Sequence, residues 1–271
     1  MIPVQKHMRS SAGFTLVELA IVMIIIGLLI AGVLKGQQLI TNAQIAATVA
    51  QVKAFDAATT SFHDMYAAVP GDLTNAQALA RLPNCAAASV CGTAANAGNA
   101  DGKVDTAAGA AIQFNAAAAV EQIGFWADLN AVGLVTSIAP STVAALGQIW
   151  GGDYPASKIA GGGFDVGWNS GLVALNGVFS VVPNATQAGE YLALHGTPNA
   201  AAGVAAADLF LKPNYAMRID TKIDDANPNT GDVLAAGAAA ANGCASANTQ
   251  LGVYNEALPN ALCSLYIKFQ N

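Results

Sequence analysis

The chain has 271 residues, a length that suits one domain or two small ones and buries roughly 70–75% of the unfolded surface. Charged residues make up 10% of it against an average of about 25%, and 17 acids against 11 bases leave a net charge of −6. This balance lacks the basic footprint of a nucleic-acid binder, so no nucleic-acid partner is expected, and a chain that is 54% hydrophobic is not a disordered one.

The first informative stretch is residues 14–34, FTLVELAIVMIIIGLLIAGVL, which carries one charge, Glu18, and ends at Lys35. As a helix rising 1.5 Å per residue it spans about 31 Å, the thickness of a bilayer's hydrocarbon core. A secretory signal peptide would have a shorter apolar run with a small-x-small cleavage site after it. Lys6 and Arg9 precede the run and little positive charge follows it. The N-terminus is therefore expected in the cytoplasm and the rest of the chain outside it. Glu18 is the anomaly, because a carboxylate inside a membrane segment costs about 2.5–3.5 kcal/mol even on the lenient insertion scale.

The polar segment in front of this run ends in Gly13, and Gly13-Phe14-Thr15-Leu16-Val17-Glu18 resembles the cleavage and methylation motif of type IV prepilins, shared by pilins and type II secretion pseudopilins. The resemblance implies that a prepilin peptidase/N-methyltransferase cuts between Gly13 and Phe14 and methylates the new amine of Phe14. It also implies that Glu18 pairs with the Phe14 amine of a neighbouring subunit, since a buried charge in a filament core is tolerated only when paired. Many family members have proline at the 22nd mature residue, where this chain has Lys35. That departure points to a straighter anchor or a minor-type subunit.

Beyond the membrane run, Ile45, Val49, Val52, Phe55, Phe62, Tyr66 and Val69 recur at steps of three and four. They predict an amphipathic continuation of the helix that packs on a globular head and stops at Pro70-Gly71. The polar side carries Gln51, Lys53, Asp56, Thr60 and Asp64. The expected division is a removed cytoplasmic leader at 1–13, a membrane and filament-core helix at 14–34, its amphipathic continuation at 35–69, and a periplasmic or extracellular head at 70–271.

Within the head, 72–110 reads as loop, and 112–134 as a second amphipathic helix with Phe114, Ala118, Phe125, Trp126 and Leu129 facing inward. Residues 171–182, 189–195 and 262–269 have strand lengths and compositions, and 213–224 opens with proline as a helix does at its first turn. A spine helix packed on an antiparallel sheet, an α+β fold, is the expected architecture. AVPGDLTNA (68–76) and IDTKIDDANPNTGDV (219–233) also resemble segments of larger prepilin-motif proteins.

The four cysteines, Cys85, Cys91, Cys244 and Cys263, have neither CxxC nor zinc-finger spacing. They allow three pairings or none. The sequence-local one, Cys85–Cys91 with Cys244–Cys263, is favoured because each bond closes a short loop of polar and small residues, and disulfides are the default outside the cytoplasm. Asp220, Asp224, Asp225, Asn227, Asn229 and Asp232 gather oxygen ligands, and major pseudopilins bind calcium in a C-terminal acidic loop, so this loop is a candidate calcium site. The competing reading is an Asx-rich turn without metal, and no other cofactor is expected. NADGKVD (99–105) fails as an EF-hand because Ala97 and Ala108 stand at its first and twelfth positions. GGG (161–163) lacks the residues of a P-loop, and His7, His63 and His195 are isolated from any catalytic signature.

The expected function is that of a structural subunit of a type IV pilus-like filament, a pseudopilin or a minor pilin, and not an enzyme. Its expected partners are the peptidase, other pilin or pseudopilin subunits, and an inner-membrane assembly platform. The rival is a single-pass signal-anchor protein whose periplasmic domain is an enzyme or ligand-binding module.

Overall fold

The computed structural model describes residues 15–92, 98–105, 120–140, 149–169, 187–196, 209–237, 243–247 and 251–269. The chain divides into two compact units, 1–43 and 44–271. Helix α1, Leu16–Tyr66, begins in the first unit and ends in the second. No break marks Lys35, whose Nζ donates to Gln38 Oε1 at 3.4 Å one turn on.

In the second unit the period of α1 is expressed as burial. Ile45, Thr48, Val49, Val52, Phe55, Ala58, Thr59 and Phe62 are buried, a stripe at steps of three and four. The two threonines sit in it because their hydroxyls donate to the carbonyls of Gln44 and Phe55, four residues back, both at 2.9 Å. On the polar side, Gln51 Nε2 donates to Ala156 O at 3.0 Å while its Oε1 accepts the Lys158 N–H at 3.1 Å, holding a distant loop against the helix. The helix stops where Ala67 takes a left-handed conformation, φ 49°, followed by Pro70 and by Gly71 at φ 84°.

Among the described residues three further α-helices follow: α2 (Asn75–Arg81), α3 (Val120–Ala131) and α4 (Pro213–Ile223). Thr74 and Gln77 close a capping box on α2. Pro213 opens α4 where its missing N–H has no intrahelical partner to lose. Four antiparallel strands, β1 (Gly163–Asn169), β2 (Gly189–His195), β3 (Val233–Ala236) and β4 (Ser264–Lys268), form one sheet in the order β1-β2-β4-β3. The architecture is the expected α+β one. Strand 189–195 and helix 213–223 lie where the sequence placed them, and 262–269 narrows to 264–268. The expected strand at 171–182 and the first part of the helix at 112–134, with Phe114 and Ala118, lie outside the described residues.

The core forms where α1, α3 and the sheet meet. Phe55 stands edge-on to Trp126 at 5.0 Å and to Phe164 at 5.2 Å between ring centroids. Phe125 stands edge-on to Trp126 at 4.9 Å and stacks on Phe269 at 6.2 Å. Aromatic pairs in these geometries contribute about 0.5–1.5 kcal/mol each beyond the area they bury. Val166, Leu192, Leu194, Leu265 and Ile267 continue this core along the sheet. GGG (161–163) is the approach to β1: a Cβ at Gly163 would meet the Trp150 ring at 2.2 Å, so only glycine lets that ring lie on the strand.

Candidate functional site

The first site is the exposed beginning of α1. From Leu16 to Leu34 its large apolar side chains are all exposed, Leu16 at 87% and Leu28 at 70%. Among the described residues this is the one helix long and apolar enough to cross a membrane, with a mean hydropathy of 2.9 in its most apolar stretch, none of which is buried. A row of Ile, Leu and Val this long requires either lipid or other helices around it.

Glu18 does not project freely from this surface. Its Oε2 accepts the Thr15 N–H at 2.9 Å and the Thr15 hydroxyl at 2.8 Å, while the Glu18 N–H donates to Thr15 Oγ1 at 3.3 Å. Thr15 is thus the N-cap and Glu18 the third helical residue of a capping box. The signal was present in the sequence as Thr15-x-x-Glu18, and reading Glu18 only as a membrane anomaly passed over it. Gly13 and Phe14, the expected cleavage and methylation residues, lie outside the described residues.

The second site is the acidic loop after α4. One carboxylate oxygen each from Asp220, Asp224 and Asp225 lies within 4.8 Å of the others. Each of the three already accepts hydrogen bonds from its surroundings. Asp220 takes the Ala226 N–H at 3.2 Å and the Tyr254 hydroxyl at 2.8 Å. Asp224 Oδ2 takes the N–H groups of Asp232 and Val233, which leads the chain into β3. Asp225 takes the Asn227 N–H at 2.8 Å and the Thr230 hydroxyl at 2.6 Å. Asn227 and Asn229 continue the turn, with Asn227 Oδ1 accepting the Asn229 N–H at 3.0 Å and Asn229 Nδ2 donating to Ala247 O at 2.9 Å. This is how an Asx-rich turn holds its shape. Burial raises the Asp220 carboxyl to about 7, so its hydroxyl donor Tyr254 matters to its charge state.

Disulfides join Cys85 to Cys91 and Cys244 to Cys263, with Cα separations of 5.8 and 5.1 Å. The first pins the loop between α2 and a short 3-10 turn at Val90–Gly92, and the second ties the 243–247 segment to the start of β4. His195, on β2, is buried with its Nε2 3.9 Å from Asp165 Oδ2 and its ring edge-on to Trp150 at 5.2 Å. Burial lowers the imidazole to about 4 and raises the Asp165 carboxyl to about 7, so each is pushed toward its neutral form.

An exposed apolar helix with one capped acid near its start, joined to a disulfide-bonded α+β head, defines a membrane-anchored or helix-assembled class of protein. A family model for the prokaryotic N-terminal methylation motif matches residues 8–34, so the chain carries the signature of type IV prepilin-like proteins. Comparisons with curated proteins and with solved structures returned no match.

Proposed function

We propose that this chain is a structural subunit of a type IV pilus-like filament, a pseudopilin of a type II secretion-type system or a minor pilin. The observation that carries the reading is the exposed apolar stretch of α1 with its single acid, which lies within the matched methylation motif. The subunit waits in the inner membrane with its N-terminus in the cytoplasm and its head outside. The peptidase cuts after Gly13 and methylates Phe14. The apolar helix then leaves lipid for a bundle of identical helices, which replaces one apolar environment with another at little hydrophobic cost.

Glu18 sets the register of that bundle. In the single chain its carboxylate is satisfied by Thr15. Both of those bonds fall on Oε2, so the other oxygen, Oε1, is able to accept a neighbour's methylammonium at Phe14 without releasing the cap. An ion pair in a dry core is favoured over two unpaired charges, so only the subunit spacing that brings amine and carboxylate together is stable. The two disulfides suit a head that lives outside the cytoplasm.

The test is N-terminal mass spectrometry of the chain expressed with and without a prepilin peptidase. The expected product begins at Phe14 and carries one methyl group. A chain that stays uncut beside an active peptidase would overturn the reading and favour an ordinary signal-anchor protein. Glu18→Ala is expected to be inserted and cut but to be absent from sheared filaments.

A further inference from the structure

NADGKVD (99–105) does not form a contiguous EF-hand loop, but folding brings two carboxylates from elsewhere against it. With Gly102 at the sixth position of that pattern, Asn99 falls at the third, Asp101 at the fifth, Lys103 at the seventh and Asp105 at the ninth. Asp72, from the turn after α1, takes the place of the first ligand. Its Oδ1 accepts the Asp101 N–H at 3.0 Å and its Oδ2 the Gly102 N–H at 2.7 Å. Glu121, from the first turn of α3, takes the place of the last. Its Oε1 accepts the Asn99 N–H at 3.2 Å and its Oε2 the Asp105 N–H at 2.7 Å. The loop between them is curled by Asn99 Oδ1 on the Asp101 N–H at 2.8 Å and Asp101 Oδ1 on the Lys103 N–H at 3.1 Å.

A second observation comes from the sheet. Glu190 of β2 is 4% exposed and its Oε1 accepts the Val104 N–H at 2.8 Å, but its Oε2 is buried with no hydrogen-bond partner. That oxygen stands in the field of Asp105, Glu121 and Asp72, all of which repel its charge. The described residues place no lysine or arginine in an ion pair with Asp72, Glu121 or Glu190. Lys103, the one cation of the segment, holds its Nζ 5.5 Å from the centroid of the Trp168 ring instead. Buried carboxylates are retained when they are paired or coordinate a metal. A cleft of about 360 Å³, lined by Asp72, Ala100 and Gly102 with His63 and Arg81 on its wall, adjoins the loop.

We propose that Asp72, Asn99, Asp101, Asp105 and Glu121, with the Lys103 carbonyl, form a discontinuous calcium site whose charge is balanced in part against Glu190. Six to eight oxygens from a flexible loop suit calcium rather than magnesium, which demands a stricter octahedron. The ion ties together three separate segments of the head, the turn after α1, the 99–105 loop and α3, beside β2. It is distinct from the acidic loop at 220–232.

The experiment is calorimetric titration of calcium chloride into the full-length chain in detergent, stripped beforehand with chelator, together with melting curves with and without calcium. The expected result is one tight equivalent and a rise in Tm that chelator reverses. Asp72→Asn and Glu121→Gln, both isosteric, are expected to weaken binding by at least about tenfold. Glu190→Gln is expected to shrink the calcium-dependent rise. A merely structural glutamate would leave that rise unchanged. No heat and no shift at millimolar calcium in the unaltered chain overturns the proposal. So does binding that survives in Glu121→Gln but is lost in Asp225→Asn, which places the ion in the 220–232 loop.

Discussion

Asp128 shows what a single buried acid does to this head. It lies on α3, is 3% exposed, and its Oδ2 accepts the Gly71 N–H at 2.8 Å. Burial outweighs that bond and raises the carboxyl to about 7. Its folded value thus lies above the unfolded one, near 4, so the stability it contributes is complete below pH 4 and is lost as pH rises through 7. Asp165 has the same sign, while His195, lowered to about 4, has the opposite one and loses its contribution as pH falls below its unfolded value of about 6.5. Between pH 8 and 7 the carboxyls dominate, because the imidazole is mostly neutral in both states there. In chelator, Tm is therefore expected to rise over that interval, and Asp128→Asn, which keeps an acceptor for Gly71, is expected to flatten the rise. Circular dichroism melts across the interval check this. Gly71 itself has φ 84°, and a Cβ there would meet Glu121 O at 2.3 Å. Gly71→Ala is expected to cost about 2–4 kcal/mol, read as a shift in the urea midpoint, because the backbone of α3 stands in the way.

At the scale of elements, α1 was legible in advance because its signals are local. An apolar run, a stripe at steps of three and four, and a Pro-Gly stop each depend on residues close in sequence. Helix α4 and strand β2 were legible for the same reason. Strands β1 and β3 were not: GFDVGWN and VLAA are rich in residues with little strand preference, and they become strands because β2 and β4 offer them partners. The stripe on α1 allows a direct test. Phe55→Ala removes a ring that touches both Trp126 and Phe164, and is expected to cost about 3–5 kcal/mol in denaturant unfolding. Cys244 and Cys263 are 19 residues apart, so replacing both by serine is expected to cost about 3 kcal/mol by the same measurement.

For the whole molecule, the sequence by itself determined the long apolar helix, the methylation motif and the α+β class, because hydrophobic length, helical period and motif spacing are properties of contiguous residues. It also held, unread, the capping box of Thr15 and Glu18. Only the tertiary structure decided which acids meet. Asp72, Asp105, Glu121 and Glu190 are buried on four different segments, and no spacing rule links them. The fragment 99–105 looked incomplete as a cation loop because its missing ends lie about thirty residues before it and about twenty after it in the chain. Contacts of that kind form only once the core of α1, α3 and the sheet has set the segments side by side, because burial of apolar surface, not local preference, brings them together.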